Sequence, residues 1–455
     1  MFEFTLPKDF LIGTANSAFQ SEGAWDKDGK SMSVIDHYSR LYAGKPHPTT
    51  GKLLTEFSPD DGCFFYDNYE AYIEDMAKTG QNVYRLSLAW PRILPNGIGD
   101  VNPKGIDFYN KVIDKLLESG ITPFVDLLHW DLPMCLQEKG GYVNPEFPEW
   151  FEYYARVCFT AFGDRIPMWS TSNEVAVTVG SGYGTGGFPP YVQDLKLKML
   201  GNHHVILSHF RAVRAYREMG FPGQIGIVHA ITPVYPADTA KPEDIAAAHR
   251  SVLNRFEIYM SPMVEGCYPR RLLVEAPQVL AAMPENFQQD IEKWFAPMDF
   301  VGINYYNSAR TQFVPDNYLL AKGVENFYTA PGQRFEAYPA GLLDVLTYVW
   351  QRYGLPVYIS ENGMGVETGN IEEEDCDDGW RIEYLREHLR MVSRAIKLGV
   401  GVKGYFYWND ADSYETQSGY RYRFGLTWVD RATGRRRWKA SRHYFSKVCK
   451  SRMVD

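Results

Sequence analysis

The sequence predicts an α/β fold, a single (β/α)8 barrel, from two observations. Short apolar runs alternate with longer amphipathic stretches, and polar and aromatic residues gather where the apolar runs end. A chain of 455 residues could hold two or three average domains. One barrel with extended βα loops forming a cleft fits the length equally well, and no linker or low-complexity tract divides the chain. We therefore expect residues 1–455 to form one domain.

Eight short runs are the predicted strands. Most are continuous apolar segments, as expected for parallel strands that helices cover on both faces. In chain order they are Phe10–Ala15, Asn82–Leu88, Ile121–His129, Met168–Asn173, Gln224–Ala230, Phe300–Asn304, Val357–Ser360 and Val402–Trp408.

Amphipathic stretches with helical periodicity separate these runs. Several end in glycine, which tolerates the left-handed conformation of a helix C-cap. Alternation of the two element types eight times over is the pattern of a TIM barrel. The predicted helices include Asp67–Gly80, Pro103–Gly120, Pro148–Gly163, Asn202–Gly220, Gly341–Tyr353 and Trp380–Gly399.

The composition is that of an ordinary globular protein, with 45% hydrophobic and 23% charged residues. Aromatic residues make up 15% of the chain, and their rings suit both core packing and stacking against sugars. The net charge of −9 argues against nucleic acid or an anionic membrane as the partner. A small neutral substrate fits better, and the oligomeric state stays open.

The cysteines and the first residues of the chain predict a cytoplasmic protein. The six cysteines are scattered, with no C-x-x-C pair and no histidine at ligand spacing, which favours free thiols over disulfides or a metal site. The segment Met1–Pro7 lacks a basic region followed by an apolar core, so we expect no signal peptide. No run approaches the ~18 apolar residues that a bilayer span needs.

Two glutamates are the most informative residues. Glu174 follows Asn173 at the end of the fourth run, and Glu361 precedes Asn362 at the end of the seventh. A carboxylate beside an amide at a strand end packs poorly, but it suits chemistry that needs a proton donor and a nucleophile across one bond. A barrel gathers strand ends from the whole chain, and active sites of barrels lie at that face.

Other polar and aromatic residues that could take part in binding or catalysis cluster at the same predicted face. A structural role is a reasonable explanation for any one of them, but it is a weak explanation for seven strand ends at once. They are Gln20, Arg85, His129-Trp130, Asn304 to Tyr306 and Trp408, together with the two glutamates.

Seven segments in order then carry a family resemblance. They are Phe10–Gly23, Tyr84–Pro95, His129–Pro133, Asn173-Glu174, Gly302–Tyr306, Ile359–Gly363 and Arg423–Gly425. The chain resembles glycoside hydrolase family 1, the β-glucosidase family, over nearly its whole length. Each segment alone is a weak signal, whereas all of them in family order are highly specific.

The resemblance implies a retaining β-glycosidase that works by double displacement. Glu361 would be the nucleophile and Glu174 the acid/base, with carboxyl groups about 5–5.5 Å apart. Arg85 and Tyr306 would favour an ionised Glu361. Asn173 would hold the sugar 2-hydroxyl. No metal or organic cofactor is implied.

The remaining substrate contacts are also implied by the resemblance. Trp408 would form a stacking floor, and Phe335 would stand on the aglycone side. The glycone would contact Gln20, His129, Trp130, Asn304 and Glu415.

Three positions depart from the family pattern. Val175 stands where proline usually follows the acid/base, so the orientation of Glu174 is expected to shift slightly. Thr416 replaces a tryptophan, which predicts a roomier glycone pocket and tolerance of glycones beyond glucose. Phe335 replaces another tryptophan and offers a smaller stacking surface.

Three alternatives remain. A 6-phospho-β-glycosidase is suggested by Ser418, Arg421, Tyr422 and Arg423, although Glu415 would repel a phosphate dianion. A non-catalytic carbohydrate-binding or sensing protein would usually lack one of the two glutamates, and a thioglycosidase often replaces the acid/base with glutamine.

The Gly180–Gly187 stretch lacks the lysine of a phosphate loop and is predicted to be a loop near Glu174.

Overall fold

A computed structural model describes residues 4–324, 329, 332–368, 374 and 376–455. Eight parallel strands close into a barrel, and each pairs with its neighbours in chain order. The strands are β1 (Leu11–Ala15), β2 (Val83–Ser87), β3 (Thr122–Leu128), β4 (Met168–Asn173), β5 (Gln224–Ala230), β6 (Val301–Asn304), β7 (Val357–Asn362) and β8 (Val402–Trp408).

The predicted barrel is therefore confirmed, with small differences at strand ends. Strand β8 closes the barrel by pairing with β1, so that Gly404 lies opposite Leu11. Strand β3 ends at Leu128, one residue before the predicted end. Strand β7 runs two residues further than predicted, so Glu361 belongs to its last residues.

At least one helix follows each strand and covers the outside of the barrel. Their apolar faces explain the continuous apolar character of the strands, which are buried on both faces. The helices are α1 (Phe65–Thr79), α2 (Pro103–Glu118), α3 (Phe147–Phe162), α4 (Leu195–Glu218), α5 (Phe287–Trp294), α6 (Pro339–Tyr353), α7 (Gly379–Lys397) and α8 (Ala440–Ser451).

Shorter elements fill the loops. Additional helices are Ala18–Ser21, Val34–Leu41, Trp90–Ile93, Met134–Gln137, Pro242–Val252, Ile258–Glu265, Arg270–Glu275 and Pro277–Ala282, with 3₁₀ turns at Lys27–Gly29 and Gly141–Val143. Small strands are Phe4–Thr5, Val234–Pro236, Ala309–Gln312, Lys322–Gly323, Val366–Glu367, Tyr422–Arg423, Thr427–Val429, Arg436–Trp438 and Met453–Val454.

Aromatic side chains fill the barrel interior below the pocket. Phe124 contacts Phe300 edge to face at a ring-centroid distance of 5.4 Å and Phe406 at 5.5 Å. Such pairs add stability beyond the area that they bury. The packed interior closes the bottom of the barrel and leaves the pocket at its carboxyl-terminal mouth.

The prediction of a loop at Gly180–Gly187 is wrong. Ala176–Thr185 forms a π-helical segment that begins two residues after Glu174, and a second π-helical turn spans Leu253–Glu257. The apolar side chains of Val179 and Tyr183 are buried, which holds the glycine-containing segment in regular structure.

Two further expectations concern the cysteines and membrane spans. All six cysteines are unpaired, as predicted. Among the described residues, no helix is long and apolar enough to span a bilayer.

Candidate active site

A pocket of about 330 Å³ opens at the carboxyl ends of the strands. Ten predicted site residues line it: Gln20, His129, Trp130, Glu174, Tyr306, Phe335, Glu361, Trp408, Glu415 and Thr416. The other three, Arg85, Asn173 and Asn304, are buried beneath its surface and hydrogen-bond one another or the two glutamates. The structure thus brings all the predicted residues to one place.

Glu361 lies between a cation and a phenol. Arg85 Nη1 donates to Glu361 Oε1 at 2.7 Å, and the Tyr306 hydroxyl donates to Glu361 Oε2. Burial and the charge of Glu361 raise the pKa of Tyr306 well above its ordinary value, so the phenol keeps the proton that it donates. Both partners favour an ionised carboxylate.

The end of β7 approaches β8 closely just after Glu361. A Cβ on Gly363 would lie 1.9 Å from the Trp408 carbonyl oxygen, so only glycine fits. Asn362 donates to the Tyr305 carbonyl at 2.8 Å. These contacts fix the strand end that carries Glu361.

Glu174 has different surroundings. Asn304 Nδ2 donates to Glu174 Oε1 at 2.8 Å, and no cation pairs with this carboxyl among the described residues. Burial, and then the negative charge of Glu361, raise the pKa of Glu174 to about 8, although the Asn304 hydrogen bond and Arg85 oppose the shift. Glu174 is therefore protonated at neutral pH.

The backbone of Glu174 adopts φ = 52°, in the left-handed region that non-glycine residues rarely enter. Such a conformation costs on the order of 1–3 kcal/mol and is typical of functional positions. Val175 follows with φ = −51°, which lies within the range that proline would impose. Valine thus adopts the backbone angle that proline would impose at this position.

An amide and a guanidinium connect the two glutamates beneath the pocket. Asn173 Oδ1 accepts from Arg85 Nη2 at 2.7 Å and from Asn304 Nδ2 at 2.9 Å. Because Arg85 also binds Glu361 and Asn304 also binds Glu174, any movement of one carboxyl disturbs the partners of the other. In this structure Asn173 positions both of them from below.

Asp126 belongs to this network but escaped the sequence analysis. Its Oδ2 lies 2.6 Å from Arg85 Nη2, and both side chains are fully buried. Burial alone would raise the pKa of Asp126, but Arg85 and His129 outweigh it and hold the pKa below its ordinary value. A lone carboxylate inside the apolar strand β3 was the signal that could have found it.

His129 links this network to the pocket wall. Its Nε2 lies 3.0 Å from Asn173 Nδ2, and its ring stacks on Trp408 at 5.7 Å. Burial lowers the pKa of His129, so the ring is neutral at pH 7 and can present Nε2 as an acceptor.

Glu415 and Gln20 lie next to each other in the pocket lining. Gln20 Nε2 donates to Glu415 Oε1 at 3.3 Å and to the Tyr414 carbonyl at 2.7 Å. Burial raises the pKa of Glu415 to about 7, although the positive charge of Arg334 opposes the shift. An acceptor and a donor thus lie side by side for two adjacent hydroxyls.

Other parts of the pocket lining are apolar. Phe335 lies 5.2 Å from the Tyr306 ring, and Trp130 donates its indole N–H to the Asn173 carbonyl at 3.2 Å while its ring lines the pocket. Val177 from the π-helical segment and Phe188 add further apolar surface. These surfaces suit an aromatic or hydrophobic group.

The residues that suggested the 6-phospho-β-glycosidase alternative do not line the pocket themselves. Ser418, Arg421, Tyr422 and Arg423 are absent from the pocket lining. Arg334 lines the pocket instead, with its guanidinium 5.0 Å from the Tyr422 ring centre and 3.5 Å from the Ser418 hydroxyl. Sequence analysis missed Arg334 because nothing in its local pattern marks it.

Within the described part of the chain, no group of three or more histidine, cysteine, aspartate or glutamate side chains could hold a metal ion. A barrel with two glutamates at β4 and β7, one protonated and one paired with arginine, is the arrangement of a glycosidase.

Comparison with known proteins identifies the family. Residues 2–454 match the model of glycosyl hydrolase family 1, so the chain belongs to that family and is a glycoside hydrolase. Beta-glucosidase A of Thermotoga maritima is 38% identical over 451 residues, covering 99% of this chain and 98% of that protein. The 6-phospho-beta-glucosidase GmuD of Bacillus subtilis is 36% identical over 463 residues, covering 98% of each.

Solved structures agree. The family 1 β-glucosidase from Thermotoga maritima superposes with a TM-score of 0.91 at 37% identity over 100% of both chains. The same enzyme in complex with glucoimidazole gives a TM-score of 0.90 at 38% identity, covering 98% of this chain and 99% of that one.

Proposed function

We propose that this glycosidase is a retaining β-glucosidase that removes a glycone from small β-glycosides or oligosaccharides. The observation that carries the proposal is the contrast within one pocket. Glu361 is held by Arg85 and Tyr306, whereas Glu174 is kept protonated by burial and by the charge of Glu361. A nucleophile and an acid are the two groups that double displacement requires.

In the first step the Glu361 carboxylate attacks the anomeric carbon. The bond from that carbon to the glycosidic oxygen breaks, and Glu174 gives its proton to the departing oxygen. As negative charge leaves Glu361 for the new ester, it also leaves the neighbourhood of Glu174, so the pKa of Glu174 falls. The acid of the first step thereby becomes the base of the second.

In the second step water enters where the aglycone stood. Glu174 takes a proton from the water while the water oxygen attacks the anomeric carbon. The ester bond to Glu361 then breaks. Two inversions give net retention of the β configuration. Arg85 and Tyr306 stabilise the carboxylate that is released.

The other side chains would orient the sugar. Glu415 and Gln20 would bind hydroxyls at the far end of the glycone, and Trp408 and Trp130 would pack against its ring. Thr416 leaves more space there than tryptophan would. We therefore expect hydrolysis of galactosides, fucosides or xylosides beside glucosides, and equal rejection of all three would count against that tolerance.

Initial rates on 4-nitrophenyl β-glucoside, galactoside, fucoside, xyloside and glucuronide test the proposal, with Glu361→Gln as the control. Proton NMR of the first product should show β-glucose before mutarotation. Release of α-glucose first would exclude retention, and rates that persist in Glu361→Gln would exclude Glu361 as the nucleophile.

Arg334 favours one alternative, a 6-phospho-β-glycosidase, because it places a cation in the glycone pocket beside Glu415. The similarity to a 6-phospho-β-glucosidase of Bacillus subtilis points the same way. The charge of Glu415 opposes a phosphate above pH 7. Turnover of 4-nitrophenyl 6-phospho-β-glucoside, with none of the unphosphorylated glucoside, would replace the first proposal with this one.

The compartment is also a proposal. Six unpaired cysteines, of which Cys63, Cys158 and Cys449 are buried, suit a reducing environment such as the cytoplasm.

A further inference from the structure

Thr416 lies between two cavities. It lines the catalytic pocket, and together with Gln417 it also lines a smaller pocket behind it. The smaller one, here the tyrosine pocket, is enclosed mainly by Tyr38, Tyr42, Tyr191 and Tyr414, with Ile35, Ser39 and Leu54. Thr416 and Gln417 therefore mark the place where the two cavities meet.

The tyrosine pocket is narrow and aromatic. Its volume is about 20 Å³, which is room for one group of the size of water or methyl. The Tyr42 and Tyr191 rings meet edge to face at 5.4 Å, and Tyr38 meets Tyr191 in the same way at 5.7 Å. Ring faces of this kind attract C–H groups.

The Thr416 side chain carries an unused polar group. Thr416 Oγ1 is buried, and no described residue hydrogen-bonds to it. A buried hydroxyl without a partner is unfavourable and marks a place where a ligand oxygen would be welcome. None of the pairings that hold the rest of the pocket together reaches this atom.

The backbone beside Thr416 is held in place. Gln417 adopts φ = 72°, and its Nε2 donates to the Gly187 carbonyl at 2.6 Å. On the other side, Glu415 and Gly419 exchange two backbone hydrogen bonds of 2.7 Å each. Thr416 is therefore presented to both cavities by a fixed turn.

We propose that Thr416 and the tyrosine pocket form a subsite for a small O-linked substituent, methyl or acetyl, on a hydroxyl at the far end of the glycone. This rests on the proposed function, since it concerns the same sugar. Because no partner holds the Thr416 hydroxyl, rotation about χ1 turns it toward the ether or ester oxygen, to which it donates, and the methyl group enters among the tyrosine rings. The volume excludes a further sugar ring.

The test uses 4-nitrophenyl β-glucoside and its 3-O-methyl, 4-O-methyl and 6-O-methyl derivatives, which cannot migrate or be cleaved as esters can. At least one derivative should keep kcat/KM within about tenfold of the parent, because a methyl group without space costs up to about 200-fold. Loss of more than about tenfold for all three overturns the subsite.

A variant outside the catalytic pocket separates the two claims. Ser39 lines the tyrosine pocket only, so Ser39→Met should fill it. We expect the accepted O-methyl glucoside to lose about tenfold in kcat/KM while the parent glucoside is unchanged. Ser39→Ala is the matched control and should alter neither substrate. Equal losses for both substrates in Ser39→Met would overturn the subsite.

Failure of the proposed function would look different. If the parent glucoside itself were not hydrolysed, calorimetric binding of glucose and of its three O-methyl derivatives would test the subsite independently. Retained binding of one derivative, abolished by Ser39→Met, supports it. Loss of binding for all three overturns it.

Discussion

Glu361 receives hydrogen bonds from Arg85 and Tyr306, whereas Glu174, across the same pocket, has one amide donor, Asn304, among the described residues. Both carboxyls are almost completely buried. Because the two carboxyls are buried to a similar extent, the difference between their surroundings comes from their partners rather than from depth. Two similar side chains thus acquire opposite roles from their neighbours.

Among the tests of this contrast, Glu361→Ala is expected to have the largest effect on activity. Without the nucleophile no glycosyl ester forms, and kcat should fall by at least about 10⁴-fold. The assay is steady-state hydrolysis of 4-nitrophenyl β-glucoside, with circular dichroism to show that the variant is folded. A loss below about tenfold would mean that another group attacks the sugar.

Replacing Glu174 should lower activity less than replacing Glu361 does, and the size of the loss should depend on the leaving group. Glu174→Gln should lower kcat/KM by about 10²–10⁴-fold for substrates whose leaving group needs a proton. With 2,4-dinitrophenyl β-glucoside, whose leaving group needs none, the loss should be much smaller. Equal losses for both substrates would contradict an acid role for Glu174.

The positive charge of Arg85 distinguishes the surroundings of Glu361 from those of Glu174. Arg85→Met leaves Asp126 and Glu361 buried without their cation, and we expect about 3–5 kcal/mol of lost stability in urea unfolding. Arg92→Met is the matched control, since Arg92 is also fully buried and pairs with Glu22 at 3.0 Å outside the pocket. Only the Arg85 variant should also shift the pH dependence of kcat/KM.

The pH dependence itself sharpens the comparison. With the pKa of Glu174 raised to about 8, kcat/KM should decline as pH rises through about 8, because the acid loses its proton. Profiles measured with 4-nitrophenyl β-glucoside from pH 5 to 10 would show this limb. Its persistence in Glu174→Gln would assign it to another group.

The same shift has a consequence for stability. Because the folded-state pKa of Glu174 exceeds the ordinary value of 4.5, the folded protein binds more protons than the unfolded chain between those two values. The contribution of Glu174 to the free energy of unfolding is fully present below pH 4.5 and is lost as pH rises through about 8. Urea unfolding of Glu174→Gln should therefore show a flatter decline of unfolding free energy across that window.

The smallest effect is expected from Tyr306→Phe. The variant keeps the ring against Phe335 and removes one hydrogen bond to Glu361, so kcat should fall by about tenfold. Steady-state kinetics with the parent glucoside measure this. An unchanged rate would leave Arg85 as the sole support of the carboxylate.

The barrel and its glutamates were predictable because they depend on local patterns. Each strand is a continuous apolar run, and Glu174 and Glu361 stand where such runs end. The resemblance implied a contact of Asn173 with the sugar 2-hydroxyl, but it did not imply the bonds that the Asn173 side chain makes to Arg85 and Asn304. That arrangement depends on three strands that are distant in the chain.

Other features depend on long-range contacts that one sequence does not reveal. The glycines of Ala176–Thr185 predicted a loop, but the segment is π-helical. Its structure depends on the burial of Val179 and Tyr183, which the sequence does not show. Arg334 reaches the pocket from a loop far from Glu415. The left-handed backbone of Glu174 has no signature in residue type at all.

The most direct test of the division of labour is to trap the ester. Incubation with 2,4-dinitrophenyl 2-deoxy-2-fluoro-β-glucoside, followed by peptide mass spectrometry, locates the residue that becomes glycosylated. The account predicts one fluoroglucosyl group on Glu361 in the intact protein and in Glu174→Gln. A label on Glu174, or continued hydrolysis of the parent glucoside without any label, would contradict it.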